Sequence, residues 1–160
     1  MTRPDNSRAV RRQLGTTTVE FAVAGAALFI VLLGVIEVSR MMYAHTVLEE
    51  GVRRGARLAA VCPVNDPAIA AGAAFTDGGP PLLPGFSTAN IQVSYLNSAG
   101  TVVGDLVGGY TQIRYVRVAV QNYTQPLLVP FLSTVFAPAN VSATLPRESL
   151  GVSPAAVTAC

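Results

Sequence analysis

From Phe21 to Ile36 no side chain is charged, and apolar residues would cover every direction around a helix. A helix that is apolar all round has apolar matter on every side, either a large core or lipid. Thr18 to Val38 reaches the roughly 20 residues needed to cross a bilayer if Glu20 and Glu37 sit near the two interfaces. A small domain has little core with which to wrap its first helix, so lipid is the expected surrounding. From Arg40 to Val61 the pattern changes. Met41, Ala44/His45, Leu48, Val52, Gly55/Ala56 and Ala59 recur at three- and four-residue steps, with Glu49, Glu50, Arg53, Arg54 and Arg57 mostly elsewhere. That spacing predicts an amphipathic helix with one face to bury. No proline falls between Thr16 and Pro63, so a single helix is expected through both stretches. At 1.5 Å per residue it would extend roughly 70 Å, more than twice a bilayer core, and so must leave the membrane.

Beyond Pro63 the pattern is punctuated and then strand-like. Ala68 to Phe75 predicts a short helix, and Asp77-Gly78-Gly79-Pro80-Pro81 a loop. No strand precedes that loop and no lysine follows it, which excludes a phosphate-binding loop. Ile91 to Leu96 alternates as a strand does, Asn97 to Gly100 reads as a turn, and Thr101 to Val103 as a short second strand. Gly104 to Gly109 is loop-like. Ile113 to Val120 is the best strand: Ile113, Tyr115 and Arg117 point one way, Arg114, Val116, Val118 and Val120 the other, with burial expected on the valine side. Pro126 to Pro138 is apolar but too proline-broken to span lipid, and is expected to cross over the domain. Asn140 to Leu145 is the expected last strand. The predicted fold class is therefore α+β: a long N-terminal helix, membrane-spanning in its first half and amphipathic in its second, packed on a small antiparallel sheet of three to four strands.

Charge refines the topology. All 11 basic side chains are arginine. Arg3, Arg8, Arg11 and Arg12 precede the apolar run, opposed only by Asp5, and Arg40 follows it alone. The positive-inside bias puts the N-terminus in the cytoplasm and everything after Val38 outside. Without residues 1–15 the formal charge falls from +2 to −1, so the basic balance belongs to the leader. It argues membrane topology rather than nucleic acid. A removable secretory signal fits poorly, because Glu37-Val38-Ser39-Arg40-Met41-Met42 offers no small-residue cleavage site after the run. The expected partition is a disordered basic leader over 1–15, a transmembrane helix over 16–38, a helix extension over 39–62 and a strand-rich extracytoplasmic domain over 63–160.

Catalytic chemistry has little to build on. His45 is the only histidine, on the helix near the membrane, without further ligands at metal spacing and without a Ser-His-Asp set. The carboxylates after the helix, Asp66, Asp77, Asp105 and Glu148, lie in loops or near the chain end. No enzyme activity, cofactor, metal or small-molecule substrate is expected. The two cysteines, Cys62 at the helix end and Cys160 at the chain end, would lie where disulfides persist. A bond between them would close a loop worth roughly 4–5 kcal/mol by chain entropy. The alternatives are two free thiols, or a Cys160 that pairs with another molecule.

Glu20 is the residue the apolar run does not explain. A first-turn acid favours the helix dipole by only about 0.3–1 kcal/mol. If the chain were cut after Gly15, Thr16 would carry a free amine, and Glu20, one helical turn away, would have a charged partner, its own or a neighbour's. The sequence Arg11-Arg12-Gln13-Leu14-Gly15, then Thr16-Thr17-Thr18-Val19-Glu20-Phe21, resembles a type IV prepilin processing site. It is closer still to the TadE-like pilus-assembly proteins, the pseudopilins of the tight-adherence system. The features that carry the likeness are Val19-Glu20-Phe21-Ala22, then Gly34-Val35-Ile36-Glu37-Val38-Ser39-Arg40, then Glu50-Gly51-Val52-Arg53-Arg54-Gly55-Ala56-Arg57. Downstream it thins to a strand-rich domain ending near Arg147-Glu148. The resemblance implies a membrane-anchored pseudopilin, processed between Gly15 and Thr16 by a prepilin peptidase. It implies assembly with other pilin or pseudopilin subunits through Glu20, Phe21 and the helix, with location in the cytoplasmic membrane or a surface pilus. The competing expectation is an uncleaved signal-anchored domain that binds something outside.

Overall fold

The computed structural model describes residues 7–128, 135–138, 140–152 and 160, with side chains described from Thr16 onward and not for Val135 and Phe136. The chain divides into two compact units, Met1–Arg40 and Met41–Cys160. Helix α1, Ser7–Val61, has 55 residues and supplies elements of both. It begins at Ser7, ahead of the Thr16 from which the helix was expected. No proline follows Pro4 until Pro63, and the Arg-Gln-Leu composition of 11–14 favours helix, so Gly15 alone does not break it.

In the first unit α1 keeps the all-round apolar character read from the pattern. Phe21 is 79% exposed and Ile30 70%. One apolar stretch here is long enough to cross a membrane.

In the second unit the 3.6-residue period of α1 becomes a packed face. Ala44, Leu48, Val52, Ala56 and Ala59 are buried, while His45, Arg53, Arg54 and Arg57 are exposed. The face packs on a three-stranded antiparallel sheet, in the order β1 (Ile91–Leu96), β2 (Tyr115–Val120), β5 (Ser142–Pro146). The register pairs Val93 with Val118 and Tyr95 with Val116 on one side, and Val118 with Ala143 and Val116 with Leu145 on the other. These residues share the core face, whereas Gln92, Ser94, Arg117, Ser142 and Thr144 share the outer one. Helix α2, Pro67–Ala73, lies against α1 and starts on an Asp66 cap that accepts from the Ala68 amide at 2.9 Å. Proline at the first helical position lacks an N–H that would have no partner there anyway.

Several expected boundaries move. The strand expected over Thr101–Val103 is reduced to one bridge, Leu96 with Val102. Asn97 Oδ1 accepts from the Ala99 and Thr101 amides at 2.9 and 3.1 Å, turning the chain, and Gly100 takes φ +78°. Asp105 then accepts from Val107 and Gly108, both at 3.0 Å, winding the chain into a loop before a ladder can extend. Ile113, expected on the open face of its strand, is fully buried. It precedes β2, held by the short 3₁₀ turn Tyr110–Gln112, and so does not obey the strand's alternation. The stretch expected as a plain crossover contains a two-residue pair, β3 (Gln125–Pro126) with β4 (Val135–Phe136); Val129, Phe131 and Leu132 lie outside the described residues.

Candidate functional site: the α1 processing and assembly segment

Gly15, Thr16, Glu20 and Phe21 all lie on α1 within the first unit. Thr16 and Glu20 are one turn apart, so they share a face. The side chains of Thr16, Glu20 and Phe21 are exposed. The bond between Gly15 and Thr16 falls inside continuous helix, with eight residues of α1 ahead of Gly15. A carboxylate one turn along a helix from Thr16 can accept hydrogen bonds from a cation placed there, whether a side chain or a chain terminus. The apolar side chains after it offer a surface for lipid or for other helices.

At the other end of the apolar run, Glu37 is 5% exposed and pairs with Arg40 at 3.2 Å. Sequence patterning places Glu37 near an interface and Arg40 just beyond the run, but does not pair them. Ser39 Oγ donates back to the Val35 carbonyl at 2.8 Å, which keeps its hydroxyl satisfied without a partner from elsewhere.

In the second unit, Cys62 and Cys160 are joined, with Cα atoms 5.7 Å apart. The bond sits beside a cap that the sequence did not reveal. A helix leaves its last carbonyls without internal partners. Here the Glu148 and Leu150 amides donate to Ala60 O at 3.0 and 3.3 Å, and the Gly151 amide to Val61 O at 2.6 Å. Ser149 Oγ also donates to Val61 O, at 3.2 Å. Gly151 takes φ +77°, and a Cβ there would lie 2.6 Å from Pro63 Cγ. Arg147 donates to Tyr110 O at 3.2 Å and lies over its ring, holding the segment's approach. In the sequence Arg147-Glu148 marks the end of the resemblance and Glu148 is among the carboxylates in loops or near the chain end, without a role in closing the helix.

Spacing of four would pair Glu49 with Arg53 and Glu50 with Arg54, and the structure makes only the first of these pairs. Glu49 meets Arg53 at 3.2 Å, but Arg54 reaches Asp77 at 2.5 Å rather than Glu50. α2 brings the Asp77 loop over Arg54, a contact across 23 positions that no helical spacing predicts. Gly51 and Gly55 are used within the unit: their surface is covered by Ala73 of α2, and Gly55 also by Val118. His45 is exposed and lies 3.6 Å from Glu49. Among the described residues no group of three or more His, Cys, Asp or Glu side chains converges to hold a metal.

With this geometry in place, the comparisons bear on the same stretch. Residues 15–57 match a family model described as TadE-like protein, and over that stretch the chain is similar to that family. The match runs from Gly15 through Glu20, Glu37 and Arg40 to the two glycines under α2. It covers a little over a quarter of the chain. No curated protein and no solved structure matches.

Proposed function

We propose that this chain is a pseudopilin-like subunit or assembly factor of a tight-adherence, type IV-like pilus. A prepilin peptidase cuts it after Gly15, and it joins other pilin or pseudopilin subunits through the first half of α1. The observation that carries this reading is the family match over residues 15–57, coincident with an apolar helix whose side chains are exposed all round. Exposed apolar surface of that extent needs lipid or other helices against it. The arginines ahead of the run support an N-terminus in the cytoplasm and a second unit outside. In this role the protein works by packing rather than by catalysis. Cleavage would leave the Thr16 ammonium one turn from Glu20 of its own chain, or open to Glu20 of a neighbour, and that pairing would offset the carboxylate's desolvation in lipid.

The second reading is an uncleaved signal-anchored binding domain. It is favoured by the unbroken helix through the Gly15–Thr16 bond, since a protease needs that backbone opened. The N-terminal residue of the mature protein separates the two. Thr16 is expected; Met1 or Thr2 would favour the anchor. Gly15→Ala should leave the longer form to accumulate in the presence of a prepilin peptidase, and unchanged processing would count against the site. Glu20→Ala should insert into membranes normally and assemble poorly.

A further inference from the structure

Cys62 is fully buried at the end of α1, with its amide donating to Leu58 O at 2.7 Å. Cys160 is exposed. The two thiols therefore differ in access, and thiol–disulfide exchange requires access to the attacked or attacking sulfur. They also differ in timing. Cys160 lies 98 positions after Cys62 and follows Leu150, so the bond forms only after the core residues from Ala44 to Leu150 have left the ribosome. The segment that carries Cys160 toward Cys62 has its own means of docking. Glu148, Ser149, Leu150 and Gly151 bond to the Ala60 and Val61 carbonyls, and Leu150 is buried in the core. Those contacts are made by backbone amides, the Ser149 hydroxyl and the Leu150 side chain, not by the two sulfurs. Docking converts closure across a long loop into a local event, because the residues next to Cys62 already hold a point nine positions from Cys160.

We propose that the bridge is made last, on an already folded unit, with Cys160 as the residue that engages an extracytoplasmic protein disulfide. The Cys160 thiolate attacks that disulfide and expels one of its two sulfurs as a thiolate, giving a mixed disulfide on Cys160. The Cys62 thiolate then attacks the Cys160 sulfur and expels the second. Two electrons and two protons pass from the cysteine pair to the oxidant, which leaves as a dithiol. The partner is thus an exported thiol oxidase that engages an exposed cysteine, not one that must reach a sulfur buried at a helix terminus. The proposal rests on the placement of residues 41–160 outside the cytoplasm.

The test uses the full chain in cells, with acid quenching, alkylation and non-reducing electrophoresis. Cys62→Ser should trap a mixed disulfide on Cys160, and Cys160→Ser should trap none. A trapped species on Cys62, equal trapping in both variants, or trapping in neither would overturn the order of events. Two free thiols in the wild type would instead overturn the outside placement, and the proposal with it. A second measurement needs no oxidase. In the reduced, detergent-solubilised full chain, a bulky maleimide should label Cys160 about a hundredfold faster than Cys62, whose labelling waits for local opening. Denaturant should abolish the difference, and comparable rates in native buffer would refute the assigned roles.

Discussion

Gly51→Ala and Gly55→Ala set two physical effects of opposite sign against each other. Alanine is the better helix former by about 0.8–1.0 kcal/mol, so on propensity alone each change stabilises α1. The structure opposes this. A Cβ at position 51 would lie 2.5 Å from Ala73 O and 3.3 Å from a Phe75 ring carbon; at position 55 it would lie 2.7 Å from Ala73 Cβ and 3.2 Å from Val118 Cγ1. Carbon atoms sit comfortably at about 3.5–4.0 Å, so α2 must retreat by close to 1 Å. The nearest obstacles are backbone or a bare methyl, which have no rotamer with which to yield. Overpacking of this kind costs about 1–3 kcal/mol. The clash should prevail, leaving each variant less stable than wild type by up to about 2 kcal/mol after the helix gain is subtracted. Both methyls displace the same Ala73, so the double variant should lose less than the sum of the singles. Gly25 has nothing within 4 Å of an ideal Cβ, and Gly25→Ala is the control expected to cause no loss. The assay is chemical unfolding of the detergent-solubilised full chain, followed by tyrosine near-UV circular dichroism, since the chain has 5 tyrosines and no tryptophan. Variants at 51 and 55 as stable as wild type would show that α2 is not seated on that face, and the packing account would fall.

Two further outcomes follow from the same unit. Cys160→Ser removes the cross-link between positions 98 apart, which the chain-entropy account values at about 4.7 kcal/mol. The unfolding midpoint should drop accordingly, and Cys62→Ser should drop it further because it also leaves a hydroxyl in the core; equal stability with and without reductant would refute both. Burial pushes the Tyr95 hydroxyl up from its usual 10.0, and the nearby Asp66 charge adds to this, while the Asn65 amide donating to its oxygen opposes. Above pH 10 the unfolded chain then gives up a proton that the folded chain keeps, so Tyr95 contributes stability fully below pH 10 and loses it as pH rises toward the folded value. Tyr95→Phe should flatten the alkaline fall in unfolding midpoint; an unchanged slope would remove Tyr95 as its source.

Periodicity alone determined much of this protein. The all-apolar run after Glu20, the amphipathic stretch beyond Arg40, and the alternation at 91–96 and 115–120 are local patterns, and local patterns fix which face of an element is buried. The residues proposed for processing and assembly could be named for the same reason: Gly15, Thr16, Glu20 and Phe21 are close in sequence and the chemistry proposed for them depends on spacing along one helix. What the tertiary structure decided depends on contacts between distant positions. Arg54 chose Asp77 over Glu50 because α2 carried that loop across it. The Gly51–Gly55 pair faces inward because Ala73 and Val118 come from elements that no helical period reveals. The cap on α1 by residues 148–151 is the clearest case. Helix ends are usually closed by neighbours in sequence, and here the missing donors arrive from the far end of the chain, where only folding could bring them.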